Sequence, residues 1–382
     1  MKHLLVTNDY PPKVGGIQNY LWELWRRLPP ESTTVYCTPY ANSAAFDRGE
    51  FYRIERSPEP VLIPYPWLPR RIDGLADEVG ADLVLLDPAV PLGVIGPFLD
   101  HRYGVLLHGA EVTIPGRLPL TRQILRRVLE KAEVVVSAGE YALEEAERCV
   151  GRSLRSIVIP PGVDTARFHP LTEVQRQQAR QRFDLDADAL VVSTINRLVP
   201  RKGIDVLIRA AAKLQTSFPS LRVMIGGTGR EFDRLEELIR ELQAPVRLLG
   251  RLDDGDVPLL YGASDAMAML CHDRWLGLEQ EGFGIVFLEA AAAGIPQIAG
   301  RSGGAHEAVE HGVSGLIVDQ PKSVEAVSTA LAELLSDSDR RIRMGVAARA
   351  RAVEQFDYSL LARRLDTGLQ ALQATPPPAS SP

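Results

Sequence analysis

ALVVSTINRLVPRKG, residues 189–203, decides the fold. Its first seven residues are an apolar run of strand length; proline and glycine then punctuate a basic loop, and helical spacing resumes beyond it. The same strand, loop and helix unit recurs on both sides. Downstream strand candidates are LRVMIGG (221–227), VRLLG (246–250), DAMAML (265–270), IPQIAG (295–300) and GLIVD (315–319). Upstream lie MKHLLVT (1–7), TTVYCT (33–38), LVLLD (83–87), YGVLLHG (103–109), EVVVSA (133–138) and RSIVIP (155–160). Strands alternating with helices predict parallel sheets wound on both faces, an α/β class. Between the series the pattern lapses into PPGVDTARFHP and a Gln- and Arg-rich stretch, LTEVQRQQARQRFDLDAD. Two domains are therefore expected, 1–170 and 171–356. A helix at about 357–373 is expected to pack back on the first, and 374–382 (ATPPPASSP) to be a disordered tail. Ligands of such sheets bind beyond the carboxyl ends of the strands, so two facing sheets predict a deep cleft between domains.

Composition excludes several classes. The 382 residues carry 43 Lys+Arg against 49 Asp+Glu, a net charge of -6, which opposes any overall attraction to nucleic acid. Cys37, Cys149 and Cys271 are odd in number and far apart, so neither a disulfide framework nor a clustered zinc site is expected, and a reducing compartment is. The opening apolar run stops at Asn8 and Asp9, too short for a signal peptide, and nowhere do 18 apolar residues run uninterrupted. A cytoplasmic location follows as an expectation, with a peripheral place on the inner face of the cell membrane as its variant.

Four segments carry candidate chemistry. Gly15 and Gly16, between the first strand and helix, let backbone approach a phosphate or sugar hydroxyl; a tight turn is the alternative. No G-x-G-x-x-G or P-loop pattern is present, which removes the main support for a dinucleotide oxidoreductase or a P-loop enzyme. Arg197 and Lys202, five residues apart after a strand, can converge on a diphosphate or form a solvated basic loop. Gly227, in the GGTG loop after the next strand, favours the diphosphate because strand ends of one sheet share one pocket. In LEQEGFGIVFLEA (278–290), amides near Phe283, Gly284 and Ile285 can hold a phosphate, and Glu281 and Glu289 can accept from sugar or ribose hydroxyls. A glycoside-hydrolase acid/base pair or a helix cap with a surface carboxylate are the competing readings. His108, in LLHGAE, can serve a reacting hydroxyl or be structural. Asp253, Asp254 and Asp256 precede a helical pattern and are read as caps, so no metal is proposed.

Together the segments NDYPPKVGGIQNY, HGAE, PPGVDTARFHP, NRLVPRKG, GGTGRE, LLGRL, EGFGIVFLEAAAAGIPQIAG and GVSGLIVD resemble the retaining glycosyltransferases of family 4 across nearly the whole chain. HGAE, EGFGIVFLEA and AGRSGGAHEAV are most similar to the GDP-mannose-dependent phosphatidylinositol monomannoside mannosyltransferases. The resemblance implies the GT-B fold of two facing Rossmann-like domains. It implies a nucleotide-sugar donor, GDP-mannose, gripped at its diphosphate by Arg197 and Lys202. Glu289 would bind the ribose, Glu281 with the amides near Phe283 the hexose, and Arg251 and Leu252 would lie near the base. Gly15 and Gly16 would approach the acceptor or diphosphate, and His108 would contact the donor sugar or acceptor hydroxyl. Ala110 within HGAE and the segment CHDRWLGLEQ before Glu281 depart from the family pattern, and variation in that segment bears on sugar choice.

Departure of the nucleoside diphosphate creates charge that Arg197, Lys202 and helix amides can stabilise, and the resemblance implies a retaining outcome that requires no metal. With no carboxylate nucleophile in view, a front-side transfer is expected in which the donor phosphate accepts the acceptor's proton. The segment GRLPLTRQILRRVLEKAE, with Arg117, Arg122, Arg126, Arg127 and Lys131, and PYPWLPRR (64–71), with Trp67, suit an anionic membrane carrying a glycolipid acceptor; an ordinary core-packed helix is the alternative. Three other functions compete: a UDP-sugar transferase acting on a soluble or polysaccharide acceptor, a GT-B nucleotide-sugar epimerase, and a non-catalytic nucleotide-sugar binder.

Overall fold

The computed structural model describes residues 1–274 and 283–374. The chain forms two compact units, Met1–Pro161 joined by the chain from Tyr358 onward, and Gly162–Asp357.

The first unit is a seven-stranded parallel sheet: β1 (His3–Thr7), β2 (Thr33–Cys37), β3 (Arg53–Arg56), β4 (Leu83–Asp87), β5 (Tyr103–Leu107), β6 (Val134–Ser137) and β7 (Ser156–Val158). Its spatial order is β3-β2-β1-β4-β5-β6-β7, so the winding reverses between β1 and β4. Strand alternation feeds two cores. Leu4 and Val6 of β1 face one, with Ile72, Leu86, Val105, Leu125 and Val128. Leu5 faces the other, with Leu21, Leu24, Trp25 and Leu85. The second core also takes Leu361, Leu365, Leu369 and Leu372 from the helix Tyr358–Ala374, whose apolar stripe at three- and four-residue spacing is thereby buried. β3, RIER, escaped the sequence reading: an edge strand with charged, half-exposed side chains has no apolar run to betray it.

Among the described residues the second unit has six parallel strands: β8 (Leu190–Ile195), β9 (Leu221–Gly226), β10 (Val246–Gly250), β11 (Ala266–Met269), β12 (Gln297–Gly300) and β13 (Gly315–Val318). The order β10-β9-β8-β11-β12-β13 reverses between β8 and β11, so each sheet has its own switch point beside its first strand.

Two expectations need correction. The first unit ends at Pro161 and not at 170, because the PPGVDTARFHP segment is no linker. Val163 pairs with Asp357 and its N–H donates to Phe356 O at 2.8 Å. The ring of Phe168 packs 6.1 Å from that of Tyr261, and the Arg349 guanidinium donates to the carbonyls of Thr165 and Phe168. Nor do Asp253, Asp254 and Asp256 cap their helix. Gly255 precedes Asp256–Ala263, no side chain caps it, and Asp256 instead takes both ends of the Arg182 guanidinium at 2.6 and 2.9 Å. The expected tail falls, from 375 on, outside the described residues.

Candidate functional site

In the second unit the loops after β8, β9 and β10 lie on one another. Leu198 N–H donates to Thr228 O at 3.0 Å, and Gly227 N–H to Gly250 O at 2.6 Å. Gly227 has φ +125°, and a Cβ there would stand 1.9 Å from the carbonyl oxygen of Asn196, so no side chain is admissible. The stacking brings the segments of Arg197, Gly227, Arg251 and Leu252 to one end of the sheet. Arg197 and Arg251 are exposed there; Leu252 is half-buried.

Lys202 ends a short turn, Pro200–Lys202, and is buried at 7% exposure. Its ammonium lies 3.4 Å from the sulfur of Met269, the last residue of β11. The methyl of the same methionine lies 3.2 Å from where a Cβ on Gly284 would stand. Gly284 (φ +86°) is the residue before the helix Ile285–Ala292. One side chain at the β8/β11 reversal thus lies against the lysine and fills the space a side chain on Gly284 would need, just before a helix whose first amides are suited to an anion. Phe283, buried, packs its ring 5.7 Å from that of Phe356 and fixes the approach to that helix. Ile285 is half-buried.

Glu289 lies in the second turn of the same helix, half-buried, and accepts from the Tyr261 hydroxyl at 3.2 Å. Desolvation pushes its carboxyl up to about 7, against the opposing pulls of that hydroxyl and of Arg167. It is therefore not a solvated surface carboxylate. Glu281 lies outside the described residues.

In the first unit, His108 follows β5, and its Nε2 stands 2.5 Å from Oδ1 of the fully buried Asp87, at the end of β4. Burial alone would strip its proton; the Asp87 carboxylate, with smaller pulls from Glu111 and Asp9, outweighs burial and pushes His108 up to about 9. Gly15 precedes the helix Gly16–Trp25, and a Cβ on it would meet Gln18 Oε1 at 2.1 Å. Gln18 cannot step aside cheaply, since its amide donates to Asp9 at 2.5 Å. Asp9 in turn holds Lys13 at 2.7 Å. Sequence reasoning missed Thr7, Asp87, Tyr261 and Met269. A polar residue closing an otherwise apolar strand, as in HLLVT and LVLLD, is the signal that points to the first two.

The helix Pro119–Lys131 buries Leu125, Val128 and Leu129 but leaves Leu118, just before it, 55% exposed and Leu120 73% exposed, beside Arg122, Arg126 and Arg127. Exposed Trp67 stacks on Tyr65 at 4.6 Å between centroids. No helix among the described residues is long and apolar enough to cross a membrane.

Two family models match: Glycosyltransferase Family 4 over residues 14–167 and Glycosyl transferases group 1 over 175–351. The chain is 37% identical, over 95% of its length and 96% of the relative's, to a GDP-mannose-dependent alpha-(1-6)-phosphatidylinositol monomannoside mannosyltransferase of Mycobacterium tuberculosis. It is 35% identical, over 97% and 98%, to the Corynebacterium glutamicum enzyme named for the monoacylated form of that acceptor. A crystal structure of HepE from Anabaena in complex with UDP matches with a TM-score of 0.82 at 23% identity, covering 97% of this chain and 100% of that one, a likeness of fold.

Proposed function

Since the chain belongs to glycosyltransferase family 4, with the GT-B fold, we propose that it moves mannose with retention from GDP-mannose to a hydroxyl of a phosphatidylinositol mannoside. The observation that carries this reading is the Lys202 ammonium on the Met269 sulfur, whose methyl closes the space beside Gly284 before the helix Ile285–Ala292, at the reversal point of the second sheet. In the reading proposed, Lys202 and Arg197 hold the donor diphosphate and neutralise the leaving group. Glu289 accepts from the ribose hydroxyls; Glu281 and the amides near Phe283, Gly284 and Ile285 hold the hexose; Arg251 and Leu252 flank the base, and Gly227 lets the backbone come close. In the first unit Gly15 and Gly16 approach the acceptor and His108 meets its hydroxyl. The proton leaves to a donor phosphate oxygen on the same face, so no enzyme nucleophile and no metal are invoked.

The acceptor's lipid places the enzyme at an anionic membrane surface, with Leu118, Leu120 and the arginines of Pro119–Lys131 in contact with headgroups. Vesicles with and without anionic lipid test this by flotation: recruitment only to anionic vesicles is expected, and none to either removes the membrane role. The transfer itself is tested by incubating the full chain with GDP-mannose and vesicles bearing phosphatidylinositol monomannoside. A product heavier by one hexose is expected. Free mannose or an epimer formed without acceptor, or turnover of UDP-sugars alone, would replace the reading by one of its competitors.

A further inference from the structure

Three side chains at the reversal point of the first sheet form a chain of hydrogen bonds. Thr7 and Asp87 are register partners across the β1/β4 ladder, and the Thr7 hydroxyl donates to Asp87 Oδ2 at 2.6 Å. The direction of that bond follows from the carboxylate, which only accepts; the same Thr7 oxygen in turn accepts the N–H of Asp9 at 2.8 Å. The other carboxylate oxygen meets His108 Nε2 at 2.5 Å. A carboxylate only accepts, so Nε2 carries a proton. The ring is held on its other sides too. The Tyr20 ring meets it edge to face at 5.7 Å and 89°, with the Tyr20 hydroxyl tied to Ile159 O at 2.7 Å. The N–H groups of His108 and Gly109 both donate to Glu111 Oε1. Among the described residues Nδ1 has no hydrogen-bond partner, and it is the ring nitrogen left for a ligand.

Resting on the transferase reading, we propose that Asp87, itself steadied by Thr7, is a positioning residue for transfer: it grips His108 through Nε2 and so presents Nδ1 to the substrate oxygen. The groups facing the imidazole are Asp87 from β4, Glu111 from the helix Ala110–Arg117, Asp9 with its Lys13 partner from the loop after β1, and Tyr20 from the helix Gly16–Trp25. Their sum favours the imidazolium, so Nδ1 donates to the substrate at neutral pH. His108 is then a fixed donor and not the base that removes the acceptor's proton, in keeping with a donor phosphate oxygen in that role.

The test pairs a titration with a rate profile on the full chain. Ring-proton NMR, with His108 assigned by the signal missing in His108→Gln, should give a wild-type midpoint near 9. In Asp87→Asn it should fall by roughly 1–3 units. The kcat/KM profile of the wild type should decline above that midpoint, and in Asp87→Asn this alkaline limb should move down with the titration. kcat should fall about 100-fold there through misplacement of the ring, with KM for GDP-mannose little changed. A wild-type midpoint near 6.5 overturns the proposal without any variant. An unmoved midpoint or limb in a folded Asp87→Asn does so as well, since a merely structural role lowers the rate equally at every pH. No product from the wild type overturns the transferase reading and the role with it, while the NMR titration still reports whether Asp87 grips His108.

Discussion

The two units share one winding scheme, yet they furnish their reversal points by opposite means. At β1/β4 the polar groups are side chains bonded to one another: Thr7, Asp87 and His108 form a chain that fixes the direction of the ring and leaves Nδ1 open. At β8/β11 the cation lies on a methionine sulfur, and the residue before the helix Ile285–Ala292 is a glycine. The difference teaches that a doubly wound sheet decides where strand ends meet, while the residues just past those ends decide whether the place orients a reacting group or cradles an anion.

That contrast can be broken most severely at Lys202. Lys202→Ala should lower kcat/KM by about 100-fold or more, because the proposed reading gives that charge to the leaving group. Thermal unfolding checks that both units still fold, and a rate within a few-fold of wild type would separate the second reversal point from the chemistry. Next comes Asp87→Ala, which leaves His108 without its counter-charge in a buried place. Removing one partner of such a pair costs about 3 kcal/mol, so the first unit's unfolding should move to lower denaturant while the second's stays put. Coincident shifts in both transitions would deny the units their independence.

The pH dependences sharpen the comparison with smaller effects. His108 is raised in the folded state, so its stabilising contribution is complete below the unfolded value of about 6.5 and is lost as pH rises through about 9. The first unit should therefore weaken across that window in denaturant titrations run at each pH. Glu289 is raised to about 7 by burial, and in the proposed reading its ionised form is the stronger acceptor for the ribose hydroxyls. GDP should bind roughly tenfold more tightly at pH 8 than at pH 6 by calorimetry. A flat affinity would remove Glu289 from the ribose.

Much of this architecture was legible in residue order. Apolar runs announce every strand but β3, whose charges reflect its place at an edge. The loops bearing Arg197, Lys202, Gly227 and Arg251 were recognisable because each follows such a run at the same end of one sheet. The Thr7–Asp87 contact was not, since the two are separated by 80 residues and meet only through strand register. The PPGVDTARFHP segment misled for a similar reason: its proline and polar content suggests a linker, and only packing reveals that Val163 and Phe168 are buried partners of the second unit.

Residue order by itself determined two parallel sheets and a set of cations and glycines placed after strands, because both follow from local periodicity and from which residues tolerate a tight turn. Tertiary structure alone decided that His108 Nε2 meets a carboxylate and leaves one nitrogen open, that burial raises the Glu289 carboxyl to about 7, and that a methionine sulfur lies against Lys202. Charge state and aim depend on burial and on partners far away along the chain, which no local pattern contains.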